Sequence, residues 1–437
     1  MNGQFREIIR RKIVDSLATA PPPLTRRDVR VTAIPNKAAA VIGMRRAGKT
    51  TFLWQLLADR LDRGEAREEL LYFSFEDERL AGLTVTDLDL LVEEFYRLNP
   101  SGRDRRRASF FLDEIQVVPG WESFVRRLLD SERIELFLSG SSARLLSREV
   151  ATSMRGRAVE ARVYPFSFRE YLRHRRCEPA KPPERLTKAE RSALEKALAD
   201  YLVVGGFPEA QGLERGDRFE LLRGYVDVAL LRDVVERYAV SHPVALRWLV
   251  RQLLNNAAGS FSVNRFHADL RSQGMAVAKD TLHSYLGHLE DAFLVRLVSL
   301  STDSERRRMV NPRKVYPVDP GLIPVFDRSG KANLGQALET CVMLQLERRG
   351  AAIGYVQTAS GREVDFLARY PDGKQELVQV CASLDDSETA HRELRALVEA
   401  AGEFPQARPL VVALDIPVNF AAPEPTEVQH VCDWLLA

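Results

Sequence analysis

Gly43-Met44-Arg45-Arg46-Ala47-Gly48-Lys49-Thr50 is the stretch on which the reading of this chain turns. It fits the Walker A pattern GxxxxGK(S/T), with the apolar run Ala38 to Gly43 before it and a helical pattern, Thr51 to Leu61, after it. Strand, glycine-bearing loop and helix in that order are what a triphosphate cradle requires. The glycines let backbone N–H groups wrap the phosphates, and the following helix offers them the positive end of its dipole. The candidate nucleotide-binding residues are therefore Gly43, Arg45, Arg46, Ala47, Gly48, Lys49, Thr50 and Thr51. Lys49 would supply charge to the β and γ phosphates, and the Thr50 hydroxyl would ligate Mg²⁺.

The companion motif is Phe110-Phe111-Leu112-Asp113-Glu114, an apolar run ending in two carboxylates. One strand candidate and one helix candidate separate it from the loop, the spacing of NTPases with an extra strand between the two motifs. Asp113 is placed to hold hydrated Mg²⁺ and Glu114 to polarise the attacking water, so Glu114 and Lys49 lead the catalytic candidates. The next strand candidate, Ile134 to Ser139, runs into Ser139-Gly140-Ser141-Ser142, where Ser141 is expected beside the γ-phosphate. Arg155 and Arg157 are candidates for reaching the triphosphate of a neighbouring subunit, which requires a homo-oligomer. Glu76 and Asp77, after the strand candidate Leu70 to Phe75, are expected at the surface.

Strand candidates at Ala38, Leu70, Ser109 and Ile134 alternate with helical patterns at Thr51, Val85 and Trp121. That alternation predicts a mostly parallel α/β sheet covered on both faces. Residues 1 to about 20 read as an amphipathic helix stopped by Pro21-Pro22-Pro23. After Tyr171, Pro179, Pro182 and Pro183 break the texture, and helical periodicity then dominates from Lys188 to about Leu300. Strands and helices mix again from Lys314.

The 437 residues suffice for two to four domains. Lys plus Arg number 63 against 61 Asp plus Glu, so nucleic-acid binding must come from local patches rather than the global balance. The four cysteines, Cys177, Cys341, Cys381 and Cys432, form no CxxC pair, which argues against a disulfide framework or a zinc ribbon. No apolar run approaches the roughly 20 residues of a membrane helix. The charged start, Met1 to Lys12, lacks a signal-peptide stretch. A cytoplasmic protein with no membrane partner is expected.

Further marks are Phe75-Glu76-Asp77-Glu78-Arg79-Leu80, Tyr164-Pro165-Phe166-Ser167-Phe168-Arg169-Glu170-Tyr171 and Gly205-Gly206-Phe207-Pro208-Glu209. Arg232-Asp233-Val234-Val235-Glu236-Arg237 and Glu363-Val364-Asp365-Phe366 follow. Together with the phosphate motifs they make the chain resemble bacterial and archaeal AAA-type ATPases fused to a C-terminal domain of unknown function with a PD-(D/E)XK nuclease-like fold. The expected fold class is α/β: an AAA-type P-loop NTPase parallel sheet, a helical lid and winged helix, then a restriction-endonuclease-like α/β domain. The corresponding boundaries are an N-terminal arm over 1–34, the ATPase domain over 35–175 and a lid over 176–240. A winged helix over 241–310 and the nuclease-like domain over 311–437 complete the chain.

Phe261 to Leu300 reads as helix, turn at Gly274, helix, then a β-rich segment with Glu305 to Arg308 at a wing tip. On DNA, Lys279, Thr281 and Ser284 would lie toward the groove and Arg306, Arg307 and Arg308 on phosphates. In the nuclease-like domain, Asp365 and Glu339 fit two metal-ligand positions. The strand that should carry an acid and then a Lys instead reads Gln379-Val380-Cys381, so a catalytically impaired relic is expected. The leading reading is an ATPase using ATP and Mg²⁺ that acts on duplex or branched DNA. One alternative is a nucleotide-dependent signalling switch that binds a protein partner. A third is an active metal-dependent nuclease.

Overall fold

The computed structural model describes residues 2–32, 34–100, 107–140, 154, 156–327, 333–385 and 387–437. The chain divides into two compact units, Met1–Tyr164 with Asp291–Phe293, and Pro165–Glu290 with Leu294–Ala437. Among the described residues no helix is long and apolar enough to cross a membrane.

In the first unit β1 (Ala38–Ile42), β2 (Leu70–Ser74), β3 (Ala108–Asp113), β4 (Ile134–Gly140) and β5 (Ala158–Arg162) form one sheet in the order β2-β3-β4-β1-β5. Every pair is parallel. The three central strands are nearly continuous apolar runs because both faces are covered, and the stacked rings of Phe111 and Phe137, 4.9 Å apart, join β3 to β4 on one face. The expected strands are all present. The added one, β5, is a half-buried edge whose Val159-Glu160-Ala161-Arg162 carries little apolar signal. The helix expected over Val85 to Leu98 is a 3₁₀ turn, Val85–Leu88, leading into α3 (Asp89–Leu98). Helices α2 (Lys49–Asp62) and α4 (Trp121–Ser131) complete the alternation.

The N-terminal arm is built into this unit. Helix α1 (Asn2–Ala18) buries Ile9 and Ile13, and Arg6 donates to buried Glu94 at 2.6 Å. Lys12 pairs with Asp77 at 2.6 Å, so Asp77 serves as an anchor for α1. Further on, the backbone of Arg27 exchanges bonds with the Gln55 side chain at 2.6 and 3.0 Å. The Arg27 guanidinium donates to Ala47 O at 2.9 Å and to Tyr164 O, bracing the glycine loop from below.

The second unit begins with α5 (Phe168–His174) and α6 (Lys188–Val204), each opened by a capping box, Ser167 with Glu170 and Thr187 with Glu190. Helix α7 (Arg215–Val228) runs on through a π-helical segment, Ala229–Val235, to Tyr238. Two marks quoted from the sequence meet here, joined by Tyr201 and Asp319. Gly206 N donates to Asp319 at 2.6 Å, Phe166 N donates to Gly206 O at 2.7 Å, and Tyr201 donates to Phe166 O at 2.8 Å. A Cβ on Gly206 would stand 2.2 Å from Phe166 O, so only glycine permits this approach. Burial pushes the Asp319 carboxyl up to about 7 against the two backbone donors it accepts.

Helix α8 (Pro243–Asn255) is followed by β6 (Ser260–Phe261), α9 (Val263–Ser272), α10 (Lys279–Asp291), β7 (Val295–Val298) and β8 (Arg313–Pro317), the strands forming a three-stranded antiparallel sheet in the order β6-β8-β7. The expected wing tip at Glu305 to Arg308 is instead a short helix, α11 (Glu305–Val310), because Ser304 caps it by accepting from Arg307 N. The remainder is α12 (Leu334–Arg348), β9 (Ala352–Gln357), β10 (Glu363–Arg369), β11 (Gln375–Ser383), α13 (Ser387–Glu403), β12 (Ala407–Asp415), β13 (Glu427–His430) and α14 (Val431–Leu436). Its sheet runs β13-β12-β11-β10-β9, antiparallel from β9 to β11 and parallel from β11 to β13.

Candidate active site

The loop after β1 carries the phosphate motif at the C-terminal end of the parallel sheet, where strand ends and helix N-termini face one crevice. Gly43 has φ +153, and a Cβ there would fall 2.0 Å from Val163 O on the continuation of β5, which holds the loop close to the sheet. Gly48 opens α2 in the left-handed region, φ 98. Buried Lys49 donates to Gly43 O at 3.1 Å and to Met44 O at 3.0 Å, curling its ammonium over the loop where phosphate oxygens would be received.

Thr50, one residue on, donates its hydroxyl to Asp113 Oδ2 at 2.9 Å. The two proposed Mg²⁺ ligands, far apart in sequence, are thus in direct contact. Tyr72 of β2 donates to the same oxygen at 2.7 Å, and Ser139 of β4 donates to Oδ1. Three neighbouring elements therefore fix one carboxylate. Burial and the Asp113 charge together raise the Tyr72 hydroxyl pKa, so it remains a donor.

Glu114 has the left-handed backbone φ 54, uncommon for a residue with a Cβ. Its N–H donates to Ser139 Oγ at 3.2 Å, and its carboxylate accepts from Gln116. Burial raises the Glu114 pKa above the ordinary glutamate value, while the nearby Lys49 charge opposes that shift. The chemistry suits Mg²⁺ and a triphosphate: a hydroxyl and a carboxylate in contact, an ammonium over a glycine loop, and a half-buried carboxylate beside them. Bound there, the ion would be held by Thr50 and Asp113 and would offset phosphate charge.

Ser141 and Arg155 lie outside the described residues. The serine of that motif that meets the Asp113 carboxylate is Ser139, which sequence reasoning passed over, as it did Tyr72. The alternation of β2 gave no hint that one aromatic carried a functional hydroxyl. Arg157 pairs with Asp130, and its carbonyl accepts from Ala38 N, at the N-terminal end of β1. That is the end of the sheet away from the loop, so Arg157 does not reach this chain's own triphosphate position. Arg45 is half-buried, and Arg46 and Thr51 are exposed on the loop and first turn.

In the second unit Lys279 and Ser284 are exposed on α10 and Thr281 is half-buried, while Arg306, Arg307 and Arg308 are exposed on α11. Ser284 donates back to Asp280 O at 3.0 Å, and Arg308 pairs with Glu305 at 2.6 Å. Glu339 and Asp365 do come together, on the ammonium of Lys314, at 3.0 and 2.9 Å. The Gln379-Val380-Cys381 strand itself carries no lysine, and the cation beside the two acids is Lys314. The cation arrives from β8, distant in sequence, where a search along one strand does not look. Gln379 donates to Asp365 at 2.9 Å, and Cys381 is buried, which pushes its thiol up to about 12. Among the described residues no group of three or more His, Cys, Asp or Glu side chains is arranged to hold a metal ion.

Residues 35–172 match the AAA domain model, and residues 195–331 match a domain of unknown function, DUF8612. The uncharacterized protein MJ1544 of Methanocaldococcus jannaschii is 33% identical over 402 residues, covering 91% of this chain and 85% of that protein. An uncharacterized protein of Haemophilus influenzae is 28% identical, over 80% of this chain and 83% of its own length. Among solved structures, the Walker-type ATPase PABY2304 of Pyrococcus abyssi is similar at TM-score 0.40 and 17% identity, covering 74% of this chain and 95% of that one. Cdc6p of Pyrobaculum aerophilum is similar at TM-score 0.24 and 15% identity, covering 74% and 92%.

Proposed function

The chain, whose N-terminal half carries an AAA domain, belongs to the same family as MJ1544, and from that premise we propose that it is a Mg²⁺-dependent ATPase whose nucleotide state repositions its C-terminal half on DNA. The observation that carries the ATPase reading is the contact between Thr50 and Asp113, with Lys49 and Glu114 beside it. In this reading Lys49 and the loop N–H groups bind the β and γ phosphates. Thr50 and Asp113 hold the ion, with Asp113 kept in place by Tyr72 and Ser139. Glu114 accepts the proton of the attacking water.

The DNA part rests on exposed basic and polar groups of α10, read as a recognition helix, and of the short helix α11, which stands where a wing was expected. Arg306 and Arg307 would neutralise phosphates, and Lys279 and Ser284 would approach the groove. The C-terminal α-β-β-β-α-β order of elements is read as a nuclease-like fold serving as a binding module. Arg157, and Arg155 with it, is assigned to a neighbouring subunit's triphosphate, with Asp130 as the partner Arg157 gives up.

The test is ATP turnover by the full chain with and without duplex, single-stranded and branched DNA, paired with DNA titrations at two salt concentrations. Binding should weaken steeply as salt rises, because neutralised phosphates release counterions. Turnover without DNA binding of any form at low salt would remove the DNA part and favour a switch acting on a protein partner. Absence of Mg²⁺-dependent triphosphate binding would remove the whole proposal.

A further inference from the structure

We propose that Lys314 is the resident cation of the carboxylate cluster formed by Glu339, Glu363 and Asp365, seated where a divalent ion would otherwise be held, so that removing its ammonium unmasks a divalent-cation site. The side chain is 5% exposed, and its Nζ lies 3.0 Å from Glu339, 2.9 Å from Glu363 and 2.9 Å from Asp365. An ammonium has three N–H donors, and each meets a different carboxylate.

The radius of the cluster identifies its occupant. Carboxylate oxygens at 2.9 to 3.0 Å from a common centre match charge-assisted N–H···O bonds. Oxygen ligands stand at about 2.0–2.1 Å from Mg²⁺ and about 2.3–2.6 Å from Ca²⁺, so either ion would require the cage to contract. Further donors crowd the acids as well. Tyr316 donates to Glu339 at 2.7 Å, and Gln379 and the Val380 N–H both donate to the second oxygen of Asp365, at 2.9 and 3.0 Å. Gln379 also donates to Glu393 at 2.6 Å.

The acids come from two elements, Glu339 from α12 and Glu363 and Asp365 from β10, while Lys314 comes from β8 of the three-stranded sheet. One ammonium thus ties the small sheet to the large mixed one. Burial works against its charge, but Asp365, Glu339 and Glu363 outweigh burial and hold Lys314 protonated. Without the ammonium, three carboxylates face one another around a gap that a hard divalent cation suits by charge and by oxygen ligation. In its present form the cluster serves the architecture rather than metal-dependent cleavage.

The experiment uses the nucleotide-free full chain and Mn²⁺ as the probe, with bound ion measured by electron paramagnetic resonance and unfolding followed by circular dichroism. The parent should show the same Mn²⁺ uptake as Asp365→Asn, and a melting midpoint that does not change between EDTA and Mn²⁺. Lys314→Met should take up one additional Mn²⁺ per chain, lose it again on adding Asp365→Asn, and melt lower in EDTA than in Mn²⁺. Lys314→Arg keeps the charge and should resemble the parent, which preserves the test if Lys314→Met is unfolded in EDTA. Mn²⁺ uptake by the parent that Asp365→Asn abolishes would overturn the proposal, as would a folded Lys314→Met that takes up no extra ion. Neither result bears on the P-loop, which ATP binding tests separately.

Discussion

Replacing Glu114 by Gln isolates the step that separates hydrolysis from nucleotide binding. The change keeps side-chain volume, and the Glu114 N–H bond to Ser139 Oγ at 3.2 Å does not involve the altered group. Gln116 can satisfy an amide at position 114 as it does the carboxylate. Burial disfavours the Glu114 charge, so a neutral amide brings no desolvation cost and the fold should be at least as stable. What disappears is the proton acceptor. General-base catalysis contributes about 10² to 10⁴ in rate. At about 1.4 kcal/mol per decade that is roughly 3 to 5.5 kcal/mol of barrier. Turnover should fall within that range while binding of a fluorescent triphosphate analogue with Mg²⁺ stays within about twofold, under 0.5 kcal/mol. The pH profile adds a second signature. Because burial raises the Glu114 pKa, the active carboxylate form is lost at a pH above the ordinary glutamate value of 4.5 as acid is added. The parent should therefore show an acid limb in kcat that Glu114→Gln lacks. Equal turnover by the two proteins, or an unchanged acid limb, would take Glu114 out of the chemistry.

Other perturbations test the frame around the site. Gly206→Ala drives a Cβ to 2.2 Å from Phe166 O and strains the bonds from Gly206 N to Asp319 and from Phe166 N to Gly206 O. Overpacking plus two weakened buried bonds should cost about 3–5 kcal/mol, measured by urea unfolding; a loss under about 1 kcal/mol would show that the loop yields cheaply. Arg79, with Lys12 also contributing, holds the Asp77 carboxyl below its ordinary value of 3.8. Its stabilisation is present above that pH and is lost as pH falls through the lower folded-state value, so Asp77→Asn should flatten the acid side of the stability curve. An acid limb identical to the parent's would place the sensitivity elsewhere. Substituting Arg306 and Arg307 by Ala should weaken DNA binding alike across sequences and reduce the salt slope by about one to two, read from titrations at several salt concentrations. An unchanged slope would clear those arginines of phosphate contact.

Local pattern was enough for the nucleotide half. Gly43 to Thr50 and Phe110 to Glu114 are contiguous stretches whose backbone demands and apolar runs are legible residue by residue, and a parallel sheet buried on both faces announces its strands by hydrophobicity alone. The edge strand β5 escaped because one exposed edge needs no such run. The Tyr72 and Ser139 bonds to Asp113 escaped because they cross strands, and nothing in a strand's own pattern states which neighbour it will lie against.

The C-terminal half shows the limit more sharply. Linear order established the acids and the missing Glu-x-Lys, and from those the sequence pointed to a site without its cation. Folding brings Lys314 onto Glu339 across 25 positions of chain and onto Asp365 across 51, with Glu363 beside them, and Asp319 onto Gly206 across 113. Charge pairing inside a protein is decided by distance in space and by removal of water, and neither is a property of sequence separation. The composition and motifs determined that this chain holds a phosphate-binding α/β domain; the tertiary structure alone decided which buried charges answer one another.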